Sequence, residues 1–355
     1  MQSIGILEEH RLALIPSKYW AAHEFCFFLH DKLVHLLLEY EKSDVHNTVI
    51  NAFENAINEN GKDFEDFEIL DFMKKNELLE PYKHHILSHA VMGLTSDMLN
   101  FLYESFSCFE KRKFSVAFSL LRKPLKEHLL FLSWILADED DFITRFEANN
   151  HNSFSGISKE FRLELMKKAI SKLHVKTAFD PDLLWDIIYS KNHENGFEPT
   201  WQRATHLTTS QGELLKTEDY SLNFIFSNPL NDDFYEFLHA KLPYIMLYLS
   251  QVTLECFNRI QSVNKKTIDH LILTTMGCYE ALFLDGRSQN VSRMLQKELG
   301  NLLNCIHCNS KLKIGKHNAT EFYLHERIYC KHCGLVSEFP LYWILAKSNM
   351  TIRQE

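Results

Sequence analysis

Residues 302–345 read LLNCIHCNSKLKIGKHNATEFYLHERIYCKHCGLVSEFPLYWIL, and the two cysteine pairs in them decide how the C-terminal part of the chain folds. Cys305-Ile-His-Cys308 and Cys330-Lys-His-Cys333 each enclose two residues, a spacing that lets both sulfurs of one tight turn point at a single ion. Four thiolates suit a tetrahedral site with no open position, the geometry of structural zinc. One bound Zn2+ is therefore expected, held by Cys305, Cys308, Cys330 and Cys333. His307 and His332 lie inside the turns and compete as ligands, but four well-spaced thiolates take precedence. A closed site of this kind holds a fold together and performs no chemistry.

Around these knuckles, Lys311–Ile314, Thr320–Tyr329 and Leu335–Ile344 favour strands, with Gly315 and Gly334 as turns. Two cysteine knuckles on hairpins, with a further strand, resemble the zinc ribbon over residues 302–345. Gly334, directly after the second knuckle, is the glycine that commonly lets backbone amides turn toward the sulfurs, whereas neither knuckle contains proline. From Leu302 onward seven Lys/Arg face four acids, so the tail carries +3 and the rest of a chain of net charge −9 carries −12. Four thiolates on Zn2+ add about −2. The assembled tail is close to neutral, and a broad basic footprint for nucleic acid is absent.

Working back toward the N-terminus, helical periodicity dominates from Ser17 to Leu303. Only 11 Gly and 8 Pro in 355 residues leave few turns for an all-β fold, and 27 Phe suggest thick aromatic packing between helices. The expected architecture is mostly α: a multi-helix body over residues 1–301, with a possible subdomain break near 191–230, and a small β zinc ribbon with its tail over 302–355. Ser43 is read as the N-cap of a helix marked by Val45, Val49, Phe53 and Ile57 and stopped by Gly61; a short acidic helix is expected over Phe64–Asn76. Lys113–Ala137 reads as one long helix, apolar around its circumference after Leu129 and hence central. Asp138–Asp141, Ser158 and Asp180-Pro181 mark further helix starts, and Pro243 is expected to bend a helix over Asp232–Ile260. Lys191–Ser210 breaks the pattern and reads as an irregular loop. The longest apolar stretches fall well short of a bilayer span of about 20 residues. Cys26, Cys108, Cys256 and Cys278 are scattered and suit reduced, buried thiols. No basic, apolar secretory start is seen, so a cytoplasmic location is expected.

Chemistry in the body concentrates in Leu121-Arg122-Lys123-Pro124-Leu125-Lys126-Glu127-His128. This string resembles the Arg-x4-6-His motif of the higher-eukaryote-and-prokaryote nucleotide-binding (HEPN) superfamily, and its Arg/Glu pair is similar to helical families of bacterial defence islands. The resemblance implies an all-α, metal-independent ribonuclease of the toxin or antiphage type. Arg122 would stabilise charge on the scissile phosphate, His128 would move the proton of the RNA 2′-hydroxyl, and Glu127 would support them. The string departs from the motif at Lys123, where a polar amide or acid is usual, and at Pro124. On a straight helix Arg122 and His128 stand about 120° apart; a start or kink at Pro124 brings them together. The competing reading makes Arg122 and Glu127 a polar network between helices.

Two weaker clusters complete the list. Trp201, Arg203 and His206 are placed to stack on a base and meet phosphate, or else to anchor a loop. His84, His85 and His89 fall on one helix but lack a third metal ligand and read as a solvated face. No phosphate-binding, dinucleotide-binding or nucleophile-elbow signature is present. Two functions follow as expectations: a defence- or toxin-type ribonuclease acting on RNA through Arg122 and His128, or a non-enzymatic protein-interaction scaffold with a structural zinc ribbon. Both are compatible with a homodimer.

Overall fold

The computed structural model describes residues 3–43, 45, 47–60, 69–147, 157–193, 196–210, 216–223, 232–285, 290–300 and 302–347. Helices dominate, and the described β-structure is one two-stranded sheet and one isolated bridge, Asn304 with Lys311, both near the C-terminus. The mostly α expectation therefore holds. The chain starts with α1 (Glu9–Leu12), α2 (Trp20–Lys42), α3 (Asn47–Asn60), α4 (Ile69–Lys75) and the long α5 (Leu79–Glu110). Next come α6 (Phe114–Lys123), a π-turn over Pro124–His128 and α7 (Leu129–Ala137), without a break in helical backbone. They are followed by α8 (Glu139–Glu147), α9 (Lys159–Ser171), α10 (Pro181–Ile188), α11 (Phe197–Thr205) and α12 (Asp233–His239). The body closes with α13 (Leu242–Ile260), α14 (Lys265–Phe283) and α15 (Asn290–Leu299). The cysteine region holds α16 (Ala319–His325), β1 (Arg327–Tyr329), β2 (Val336–Glu338) and α17 (Leu341–Lys347).

Local chemistry sets many of these boundaries. Ser158 accepts from the Phe161 amide, and Asp180 accepts from Asp182 and Leu183 with Pro181 at the first helical position. The core forms where helices are apolar on most faces: in α7 only Phe131 escapes full burial, and α13 packs against α2, α5, α7 and α14. Phenylalanines join the elements, as where Phe109 of α5 meets Phe118 of α6 edge to face at 5.0 Å. Each such fully buried side chain contributes about 1.5–3 kcal/mol.

Four expectations are corrected. Ser43 does not start a helix; its amide and hydroxyl both donate to the Tyr40 carbonyl and so close α2. Pro243 bends nothing, because it sits in the first turn of a new helix, α13, where its missing amide costs no hydrogen bond. Lys191–Ser210 is not one irregular loop, since α11 forms within it and carries Pro199 in its first turn. The strands expected over Thr320–Tyr329 and Leu335–Ile344 shrink to three residues each, β1 and β2, flanked by α16 and α17. Gly61 and the first residues of the expected Phe64–Asn76 helix lie outside the described residues; α4 occupies most of the rest. Among the described residues no helix is long and apolar enough to cross a membrane.

The N-terminal segment is clasped by one buried carboxylate. Glu24 accepts from the Ser3 hydroxyl at 2.9 Å and from the amides of Ile4, Ile6 and Leu7 at 2.7, 3.0 and 3.1 Å. Glu24→Gln turns one acceptor oxygen into a donor facing those amides, and the expected loss of stability is about 1–3 kcal/mol. A urea midpoint unchanged from wild type would contradict it.

Candidate metal centre and the polar sites of the body

The two cysteine turns are built alike. In the first, the Cys305 amide donates to the Ser310 carbonyl and the Asn309 amide to the Cys305 carbonyl, both at 2.9 Å. In the second, the Cys330 amide donates to Leu335 and the Gly334 amide to Cys330, again at 2.9 Å. The residue after each second cysteine is left-handed, Asn309 with φ 57° and Gly334 with φ 73°. Gly334 was legible in the sequence, and Asn309 does the same work with the other residue type that tolerates this conformation. The first turn caps a short antiparallel pairing in which Leu312 donates to the Leu303 carbonyl at 2.8 Å.

These turns bring all four sulfurs within 4.8 Å of one another. Cys305 and Cys333 are 3.6 Å apart, Cys308 and Cys330 3.7 Å. Zinc–sulfur bonds of about 2.3 Å in a tetrahedron require sulfur–sulfur edges of about 3.8 Å, so the donor set and its spacing fit a four-coordinate zinc. Sulfurs this close cannot all ionise without a cation. The Ser337 hydroxyl, 3.5 Å away, leads in lowering the Cys305 thiol to about 5. For Cys333 the backbone amide of Leu335 pulls down, but burial and the other cysteines outweigh it and push the thiol up to about 12. A dication resolves that conflict. His307 turns away, its Nε2 3.1 Å from the Val336 carbonyl, and His332 is exposed. Neither histidine belongs to the cluster.

The two cysteine turns with β1 and β2 (the ribbon) are seated on α14 through α16 and α17. β1 and β2 pair antiparallel, with Ile328 opposite Ser337 on the buried face and Tyr329 opposite Val336 on the exposed one. α16 and α17 both pack on α14. The Tyr323 ring of α16 presses onto Gly277, and its hydroxyl lies 2.9 Å from that of Ser292 in α15. His270 of α14 meets Glu326 at 2.8 Å, and Lys266 donates to the Leu345 carbonyl at 2.8 Å. Large apolar side chains remain uncovered on the ribbon: Ile306 is 67% exposed, Tyr329 57%, Leu335 49% and Val336 47%.

In the body, the π-turn follows from Pro124, and the Leu129 amide reaches back five residues to the Pro124 carbonyl. At its end His128 faces α5, with Nε2 3.0 Å from Asp97, whose carboxylate also receives Lys123 at 2.5 Å. Lys123, then the charge of His128, hold the Asp97 carboxyl below its usual range. Burial pushes the His128 imidazole down despite Asp97. His128 is 4% exposed and its Nδ1 is buried with no hydrogen-bond partner among the described residues. Arg122 lies 4.0 Å from Glu127, and among the described residues no hydrogen bond or ion pair joins Arg122 to His128. The buried ion pair of this region is instead Lys126 with Glu198 at 2.7 Å, to which Gln202 also donates. That pairing crosses 72 positions and left no trace in local sequence.

The remaining candidates separate. Trp201 is fully buried and stacked on Phe197 at 5.3 Å, so neither ring face is open to a base. Arg203 and His206 are exposed and line a cleft with Ser115 and Asn223. His84 is bound to the Val45 carbonyl at 3.2 Å. No family model matches the chain, and neither does any curated protein or solved structure. The resemblance of Arg122–His128 to the nuclease motif thus rests on that string alone.

Proposed function

We propose that the chain is a zinc-binding helical protein whose ribbon is a rigid docking element for protein, with a second copy of the chain as its partner. The observation that carries this is the concentration of uncovered apolar side chains beside the four-cysteine cluster. Ile306, Leu335, Val336 and Tyr329 lie on or next to the two knuckles, and Tyr342 and Trp343 of α17 are 47% and 53% exposed. Tyr329 and Val336 are cross-strand partners with Leu335 beside them, and an apolar patch of this kind marks an interaction site. Charge favours the same surface: two bodies of −12 repel, whereas the near-neutral ribbon is the part on which two copies approach at least electrostatic cost. Sedimentation equilibrium tests this. Dimerisation should weaken at least about tenfold in Ile306→Ser/Tyr329→Ser/Val336→Ser. A wild-type chain monomeric at every concentration, or a dimer indifferent to these changes, rejects the proposal.

Ribonuclease action through Arg122 and His128 is the second reading. In its favour stand the π-turn, a feature frequent at functional sites, and the Asp97–His128–Lys123 cluster it assembles. Against it stands access, because neither imidazole nitrogen of His128 is free and open to solvent. Incubating labelled single-stranded RNA with wild type, His128→Ala and Arg122→Ala in EDTA decides between them. The docking reading expects no cleavage above buffer; cleavage that falls about a hundredfold or more in His128→Ala would establish the nuclease.

A further inference from the structure

A cavity of about 670 Å3 opens between α13, α14, α15 and the short turn Lys176–Ala178. It is unrelated to the cysteines and to the Arg122 region. Its walls are mostly apolar, with Leu247, Ile272, Met276 and Met294 among them, and its size lies within the range of small-molecule sites. Among the described residues of this lining there is one acid. Glu280 of α14 is 4% exposed, and one of its oxygens accepts the Val291 amide at 2.8 Å, capping the first turn of α15. Among the described residues no donor reaches its other oxygen, which is not sealed from solvent space. A carboxylate kept in an apolar lining with half of its hydrogen-bonding capacity unused is costly to the fold alone. Burial accordingly pushes the Glu280 carboxyl up to about 7, against the Val291 amide and Arg293.

The rest of the lining suits a cation. The rings of Tyr244 and Tyr279, both on the cavity wall, lie 6.4 Å apart, and aromatic faces attract organic ammonium groups. His174 also borders the space, but its charge is matched by Glu255, to which it is hydrogen-bonded. Two cations oppose a bound cation: Lys176, half-buried on the turn rather than on α14, and Arg293 of α15, which is exposed. From this juxtaposition we infer that the cavity is a binding site for a small organic amine: an apolar body among Leu247, Ile272, Met276 and Met294, with its ammonium on the free oxygen of Glu280.

Isosteric pairs test the inference: tryptamine against tryptophol, and 4-phenylbutylamine against 4-phenylbutanol, titrated calorimetrically into the full chain at about pH 8, where the amines are protonated. Each amine is expected to bind the wild type at least about tenfold more tightly than its alcohol, as a desolvated charged hydrogen bond requires. Glu280→Gln keeps an oxygen for the Val291 amide and deletes the charge, so it should abolish the difference. Met276→Trp fills the cavity with Glu280 intact and should remove amine binding altogether. Amines that bind no better than alcohols, no binding of either, or a preference that survives Glu280→Gln or Met276→Trp each overturns the inference. The first two comparisons need only the wild-type protein, so a variant that fails to fold does not block the test.

Discussion

Cys330→Ser is expected to take the metal content from about one zinc per chain to below about a tenth of that, and to unfold the ribbon with it. The second knuckle hangs on this sulfur: Cys330 is buried, 3.7 Å from Cys308, and its backbone fixes the Gly334 turn. Structural zinc in small domains contributes about 10–16 kcal/mol of apparent binding free energy at neutral pH. Close to the knuckles the buried apolar groups are few, Leu312, Ile314, Ile328 and Phe339, whereas Phe322, Tyr323, Leu341, Ile344 and Leu345 belong to α16 and α17, which pack on α14. Loss of the ion therefore outweighs what packing retains in the region of the knuckles. Amide hydrogen exchange should show residues 303–340 losing protection while α7 and α13 keep theirs, because those helices are buried among other body helices. Cys26→Ser is the control, since Cys26 is a buried thiol of α2 outside the cluster. Elemental analysis decides: zinc retained in Cys330→Ser, or absent from the wild type, contradicts the four-thiolate site.

What the sequence disclosed, and what it hid, divides by the range of the interactions. The four clustered cysteines were legible because a Cys-x2-Cys turn is a local geometry repeated twice, and so were the caps at Ser158 and Asp180, which act within three residues. The apolar run Leu129–Ala137 announced a central helix because burial on all faces leaves no polar stripe. Thr320–Tyr329 misled because threonine and aromatic residues favour strands, yet Phe322 and Tyr323 form helix α16 when α14 offers a surface to pack on. Trp201 looked like a loop aromatic only because Gly196 and Pro199 hid a helix start. The Asp97–His128 contact, Lys126–Glu198 and the cavity at Glu280 all depend on which helices become neighbours. No local pattern carries that information.

Gly277 was equally silent in the sequence, and it governs how the ribbon meets the body. A glycine inside a helix costs about 1 kcal/mol relative to alanine, so Gly277→Ala should stabilise α14 if helix propensity decided the outcome. Packing points the other way. A Cβ at this position would lie 2.4 Å from two ring atoms of Tyr323, far inside contact distance. The ring cannot easily move, because Tyr323 is 1% exposed and its hydroxyl is fixed against Ser292. Overpacking of this kind typically costs about 1–3 kcal/mol and more where the neighbour is locked; after the propensity gain, a net loss of about 2 kcal/mol or more is expected. Tyr323→Ala attacks the same contact from the other side and should cost about 3–5 kcal/mol through the cavity it leaves. The two changes meet at one point, so they should not add: in Gly277→Ala/Tyr323→Ala the alanine methyl enters space the ring has vacated. A coupling of about 1–3 kcal/mol in the stabilising direction is expected from urea unfolding of the four proteins. Additive losses, or a Gly277→Ala protein more stable than wild type, would show that α16 does not rest on α14 through this ring.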